Sequence, residues 1–196
     1  HIKGVGHYLP ENVVPNSHFE KTLETTNEWI VSRSGIERRH FVAEGETTSH
    51  LASHAARAAL ADAGLEASDI DAVIVATSTA DLTFPSVATM VQHQIGMNNG
   101  FAFDVQAVCA GFIFALANAN ALIVAGTVKR VMVIGAETFS RIMDWTDRGT
   151  CVLFGDGAGA LILEAGEGEG TSADRGVLST DLHSDGTYKD ILYVDG

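Results

Sequence analysis

Cysteine is scarce in this 196-residue sequence, where Cys109 and Cys151 are the only two. Two thiols cannot build a disulfide framework, and so few of them point to a reducing compartment, the cytoplasm. Basic residues are also few. Twelve Lys and Arg stand against 25 Asp and Glu, a formal charge of −13. So acidic a surface repels phosphate backbones, which argues against a nucleic-acid partner. Charged residues of both signs make up only 19% of the chain, while 46% is hydrophobic. That composition is ample for a core and leaves some surface to be covered by a partner or by further chain. No leader or transit segment opens the sequence. Its first residue is His1 rather than Met, so residues upstream are expected to have been removed. The eight histidines show no HExxH or other ligand spacing, which argues against a metal site. No short repeat or low-complexity segment is present.

What is present is organised around residues 101–126, FAFDVQAVCAGFIFALANANALIVAG. Residues 101–105 read as a short buried strand, 106–108 as a tight turn, and 109–125 as a helix. Asn118 and Asn120 are the only strongly polar side chains in that helix. A helix apolar all round is expected to be buried all round. Its length approaches that of a membrane span, about 20 residues. But it follows a strand, is rich in small residues and lacks flanking aromatic and basic anchors. A central helix of an α/β core fits better. Cys109 falls on the first turn, facing unpaired N–H groups and the positive end of the helix dipole. That setting favours the thiolate. Cys109 thus reads as a nucleophile on a strand–turn–helix elbow, made for acyl transfer. The alternative is an inert thiol acting as a small buried hydrophobe.

The remaining chain alternates strand and helix patterns. Residues 2–9 read as a strand ended by Pro10, and 16–23 as a short helix. Thr25 to Glu28 has capping-box form, opening a helix that Gly35 stops. An extended segment is expected at 36–41. Thr48–Ala63 is amphipathic, with Leu51, Ala55, Ala58, Ala59 and Ala63 as its apolar face and Gly64 at its end. Residues 71–77, DAVIVAT, have the β-branched character of a strand buried on both faces. Pro85 suits the first position of a helix over 86–95. Another buried strand is expected at 130–137. Residues 150–165 read as two extended pieces, CVLF and AGALILEA, joined by glycines. Strand-like runs close the chain at 176–182 and 190–194. The alternation predicts a mixed, mostly parallel sheet with right-handed crossovers and antiparallel last strands.

Several motifs carry little alone. Phe154-Gly155-Asp156-Gly157-Ala158-Gly159 lacks the GK[ST] and following helix of a phosphate loop, so tight hairpin or bulge packing fits better. His183 could be offered as a base for Cys109, but a solvated turn histidine fits better. Trp29 and Arg33 share a helix face, able to stack a planar ring and bind phosphate. On residues alone, a buried Trp with a solvent Arg fits them better. Cys151 reads as core.

Four stretches change that balance. They are residues 26–36 (TNEWIVSRSGI), 101–105 leading into Ala107-Val108-Cys109-Ala110-Gly111-Phe112, 146–150 (TDRGT), and 154–160 (FGDGAGA). In register across almost the whole chain, they resemble the N-terminal half of the β-ketoacyl-acyl-carrier-protein synthase III family, condensing enzymes of the thiolase superfamily. The resemblance implies a thiolase-like α/β fold, one half of a five-layer αβαβα arrangement with a buried central helix. Residues 1–165 would form that half, and 166–196 loop and strands leading to a missing C-terminal half. It implies that Cys109 accepts the acyl group. Trp29 and Arg148 would sandwich the adenine of coenzyme A, with Thr25 hydrogen-bonding nearby and Arg33 near the phosphates. Phe84 would cross a homodimer interface to cap the partner's acyl pocket. The implied reaction is the initiating decarboxylative condensation of acetyl-CoA with malonyl-acyl carrier protein in bacterial fatty acid synthesis, with no permanently bound cofactor. The family's triad is Cys-His-Asn. Its His and Asn, and the glycine N–H completing the oxyanion hole, lie in the other half, so a fragment inactive by itself is expected. Two other readings remain: a related acyltransferase of secondary metabolism, and a non-catalytic interaction domain.

Overall fold

In the computed structural model, residues 1–171 and 173–194 are described. Runs of Val, Ile and Ala build a five-stranded sheet from β1 (Ile2–Tyr8), β4 (Ala72–Ala76), β5 (Phe101–Val105), β6 (Arg130–Thr138) and β7 (Asp156–Glu164). A separate hairpin pairs β2 (Asn12–Pro15) with β3 (Arg38–Phe41). The sheet order is β1-β7-β6-β4-β5. β4 lies parallel to both β5 and β6, while β7 is antiparallel to β6 and to β1. Within this five-stranded sheet all strands but β7 therefore run in one direction.

Strand alternation sorts side chains between two faces. Val73 and Val75 of β4 and Met132 and Ile134 of β6 point to one core, shared with Leu51, Ala55 and Ala59 of α2 (Thr48–Ala63) and Val87 and Val91 of α3 (Val87–Gln94). Ala72, Ile74, Val131 and Val133 point to the other face, against Ala115 and Ala119 of α4 (Gly111–Val124). A third, smaller core lies outside the sheet. It joins the β2–β3 hairpin, the 3-10 turn Asn16–Lys21, α1 (Asn27–Ser34) and the turn at 150–153 through Val14, Phe19, Ile30, Phe41, Cys151 and Val152.

α2 packs unusually close to β1, because Gly4 and Gly6 face its alanine stripe without side chains of their own. Helix ends follow their residues. Thr26, Thr47 and Ser86 accept from the backbone N–H of Trp29, His50 and Thr89, and Gly35 and Gly64 close α1 and α2 in the left-handed region.

Several expectations need correction. The central helix is not buried all round: only Gly111, Ala115 and Ala119 are buried, while Ile113 is 48% and Val124 77% exposed. The sheet covers one side of α4, and no described layer covers the other. Cys109 lies in a 3-10 turn, Val108–Ala110, just before α4 rather than within it. Residues 151–153 form a turn, Gly155 leads straight into β7 and Gly157 already lies within it, the two packed against Arg39 and Leu9, with no hairpin between two strands. Pro85 precedes the cap Ser86 instead of opening α3. The runs at 176–182 and 190–194 form no strand among the described residues; a 3-10 turn, Gly186–Tyr188, stands between them. Without a neighbouring strand to complete their hydrogen bonds, such apolar runs have no ladder to join. No helix among the described residues is long and apolar enough to cross a membrane.

Candidate active site

The carboxyl ends of β4, β5 and β6 share one edge of the sheet, where loops of open α/β sheets bind ligands. From β5 the chain turns at once through Val108 to Cys109. Val108 has φ +48°, and no other non-glycine residue among those described has a positive φ. A β-branched residue in that region is strained, and such strain persists where surrounding structure enforces it. Here it aims the backbone so that Cys109 is exposed at the sheet edge. Cys151, by contrast, is fully buried, and burial pushes its thiol pKa up, away from the thiolate.

Asp104 ties this elbow to the loop that carries Phe84. Its carboxylate accepts from the N–H groups of Val87 (2.7 Å) and Ala88 (2.7 Å) at the start of α3. Burial raises its pKa, and the two amides offset that rise only in part. Phe84 itself is 82% exposed.

Glu137, at the end of β6, accepts from the Ser78 N–H (2.8 Å) and from the hydroxyl of Thr79, holding the chain that leaves β4. Burial raises its carboxyl pKa above the ordinary 4.5, more than these donors lower it. The folded protein therefore binds this proton more tightly than the unfolded chain does. The stabilising contribution is complete below pH 4.5 and is lost as pH rises through the raised value. Relative to wild type, Glu137→Gln should accordingly gain thermal stability as pH rises from 4.5. Melting curves across that range check this; a pH-independent difference between the two proteins would remove the argument.

The third core presents a second group of the residues expected at the site. It hangs from the same edge, because Asp156 at the start of β7 pairs with Thr138 at the end of β6. The guanidinium of Arg33 lies 4.4 Å from the Trp29 ring centroid, and that of Arg148 4.6 Å. Arg148 comes from a distant loop and also donates to the Glu24 carbonyl (2.6 Å). The adjoining Thr25 hydroxyl is buried without a hydrogen-bond partner, an unmet demand that a bound polar group would satisfy. Thr25, Trp29, Arg33 and Arg148 are thus brought together. Cys109 and Phe84 lie elsewhere on the same edge. His183 is exposed and pairs with Asp181 (2.8 Å), a solvated turn histidine.

Sequence reasoning missed Asp104, Glu137 and Arg39. Each is a charge placed in an otherwise apolar or strand-forming run, and that contrast was the available signal.

Fold and elbow together define a thiolase-like α/β protein with a cysteine presented between a parallel strand and a central helix. Among solved structures it is similar to 3-oxoacyl-[acyl-carrier-protein] synthase III from Aquifex aeolicus VF5, with TM-score 0.83, 46% identity, 86% of this chain and 54% of that one covered. The priming β-ketosynthase of the R1128 polyketide pathway gives TM-score 0.82 at 35% identity, covering 84% and 49%. The 3-oxoacyl-[acyl-carrier-protein (ACP)] synthase III family profile matches residues 103–186. β-Ketoacyl-[acyl-carrier-protein] synthase III of Ruegeria pomeroyi is 78% identical over 195 residues, and that of Roseobacter denitrificans 74%. The chain belongs to this synthase III family. All of it is covered by these alignments, but it spans only 60% of the length of those curated relatives.

Proposed function

We propose that this chain is the nucleophile-bearing part of an acyltransferase that starts fatty acid synthesis by condensing an acyl-CoA, acetyl-CoA, with malonyl-acyl carrier protein. The single observation carrying this is Cys109, exposed on a strained elbow between β5 and α4. Its thiolate attacks the thioester carbonyl, backbone N–H groups stabilise the developing oxyanion, and coenzyme A leaves as the acyl-cysteine forms. Decarboxylation of the malonyl group then supplies the carbanion that takes the acyl group from Cys109. In this reading the histidine and asparagine that assist this step belong to the remaining length of the family fold. That second half packs on the open face of α4, which accounts for its exposed Ile113 and Val124.

Trp29 and Arg148 are assigned to the adenine of coenzyme A, Arg33 to its phosphates and Thr25 to an adjacent hydrogen bond. Stacking arginines and the unpaired Thr25 hydroxyl support this assignment. Phe84 is assigned to the acyl pocket of a second copy in a homodimer, which suits an aromatic ring exposed on its own chain. Stacking a base on an aromatic ring contributes about 1–3 kcal/mol. In the full-length protein, Trp29→Ala should raise the KM for acetyl-CoA by roughly tenfold or more, with kcat little changed. Steady-state kinetics test this, and an unchanged KM would remove the adenine assignment.

A further inference from the structure

Arg39 is a buried cation with no acid beside it. It is 6% exposed, and no salt bridge among the described residues includes it. Burial lowers its pKa, yet a guanidinium stays charged in proteins. Burying an unpaired charge is unfavourable, so its hydrogen bonds and packing must offset the desolvation.

Those bonds go to two segments far apart in sequence. Nη2 donates to the carbonyl of Val152 (2.7 Å), in the turn that follows Arg148. Nη1 donates to Oδ1 of Asn16 (2.8 Å). Asn16 in turn donates from Nδ2 to Oδ1 of Asn27 (3.0 Å) and to the carbonyl of Ile36 (2.7 Å). Asn27 opens α1, and Ile36 follows the glycine that closes it. Asn16 therefore grips both ends of the helix that carries Trp29 and Arg33. The guanidinium also lies over the Phe19 ring, 4.6 Å from its centroid, a packing contact that helps hold the fork in place.

We propose that Arg39 is a positioning residue, a strut that sets the separation between Trp29 on α1 and Arg148 on the opposite loop. It thereby governs how far Arg148, which rests 4.6 Å from the Trp29 ring centroid, can part from that ring to admit the adenine of an acyl-CoA. Only a planar fork with diverging N–H groups reaches both acceptors at once, so lysine cannot replace it. The proposal rests on the reading of Trp29 and Arg148 as the nucleotide site.

The test uses the full-length protein and two thioesters, acetyl-CoA and acetyl-pantetheine, the second lacking adenosine. Arg39→Lys keeps the charge but reaches one acceptor. Asn16→Ala keeps Arg39 but cuts the link to α1. In both variants the KM for acetyl-CoA should rise by roughly tenfold, the size of one lost charge-assisted hydrogen bond. Kinetics with acetyl-pantetheine, and kcat with either substrate, should stay at wild-type values. Equal losses with both thioesters would mean a merely structural role and overturn the proposal, as would no change with either. Should Arg39→Lys fail to fold, Asn16→Ala decides by the same comparison. If wild type itself uses both thioesters with the same KM, the nucleotide reading of Trp29 and Arg148 fails first, visible before any variant is made, and the strut has nothing to position.

Discussion

Full-length protein incubated with acetyl-CoA should gain the mass of one acetyl group on Cys109, and Cys109→Ser should gain none. The serine hydroxyl keeps the shape but is scarcely ionised, so condensation should fall by more than about 10⁴-fold, as when a nucleophile is removed from other acyl-transfer sites. Peptide mapping of the acylated protein reads the position directly. The two cysteines differ sharply in setting. Cys109 is exposed on a strained turn, whereas Cys151 is fully buried and burial works against its thiolate. Iodoacetamide should accordingly alkylate Cys109 and spare Cys151. Acetyl found at Cys151, or a Cys109 that resists alkylation in the intact protein, would return the chain to the interaction-domain reading.

Gly6→Ala should be among the most damaging single methyls in the described part of the chain. A Cβ at Gly6 would sit inside van der Waals contact with the backbone N of Ala59 and the carbonyl O of Ala55. Both belong to the rigid backbone of α2, so no side chain can swing aside. Either α2 lifts from the sheet or β1 slides from β7, and both movements open the larger core. Overpacking of this kind destabilises by about 1–3 kcal/mol and sometimes more. For a chain of this size that corresponds to a melting temperature lower by roughly 2–12 °C. Gly159→Ala is the control. It lies in the neighbouring strand β7, opposite His7, and a Cβ there meets nothing within 4 Å. Its melting curve should nearly overlay the wild type. Similar losses in both variants would trace the effect to glycine in strands generally and not to the α2 contact.

Much of this architecture is legible in the sequence because it is local. The β-branched run at 71–77, the alanine face of Thr48–Ala63 with Gly64 behind it, and the apolar stretch 101–105 each announce their element by periodicity and punctuation. The Cys109 elbow is legible for the same reason, since strand, turn and helix follow one another within a few residues. β2 passed unread because a four-residue strand has too few positions for a period to emerge. The apolar runs near the end misled because hydrophobicity makes a strand only when a neighbour offers hydrogen bonds.

By itself the sequence determined the order of most elements, the place of Cys109 on a strand–turn–helix elbow and the family. The tertiary structure decided that α4 is open on one face, that Arg148 reaches Trp29 from far along the chain, and that Arg39 joins the two sides. Burial, stacking and buried hydrogen bonds are made between segments whose separation along the chain carries no pattern, so only the folded path brings them within reach.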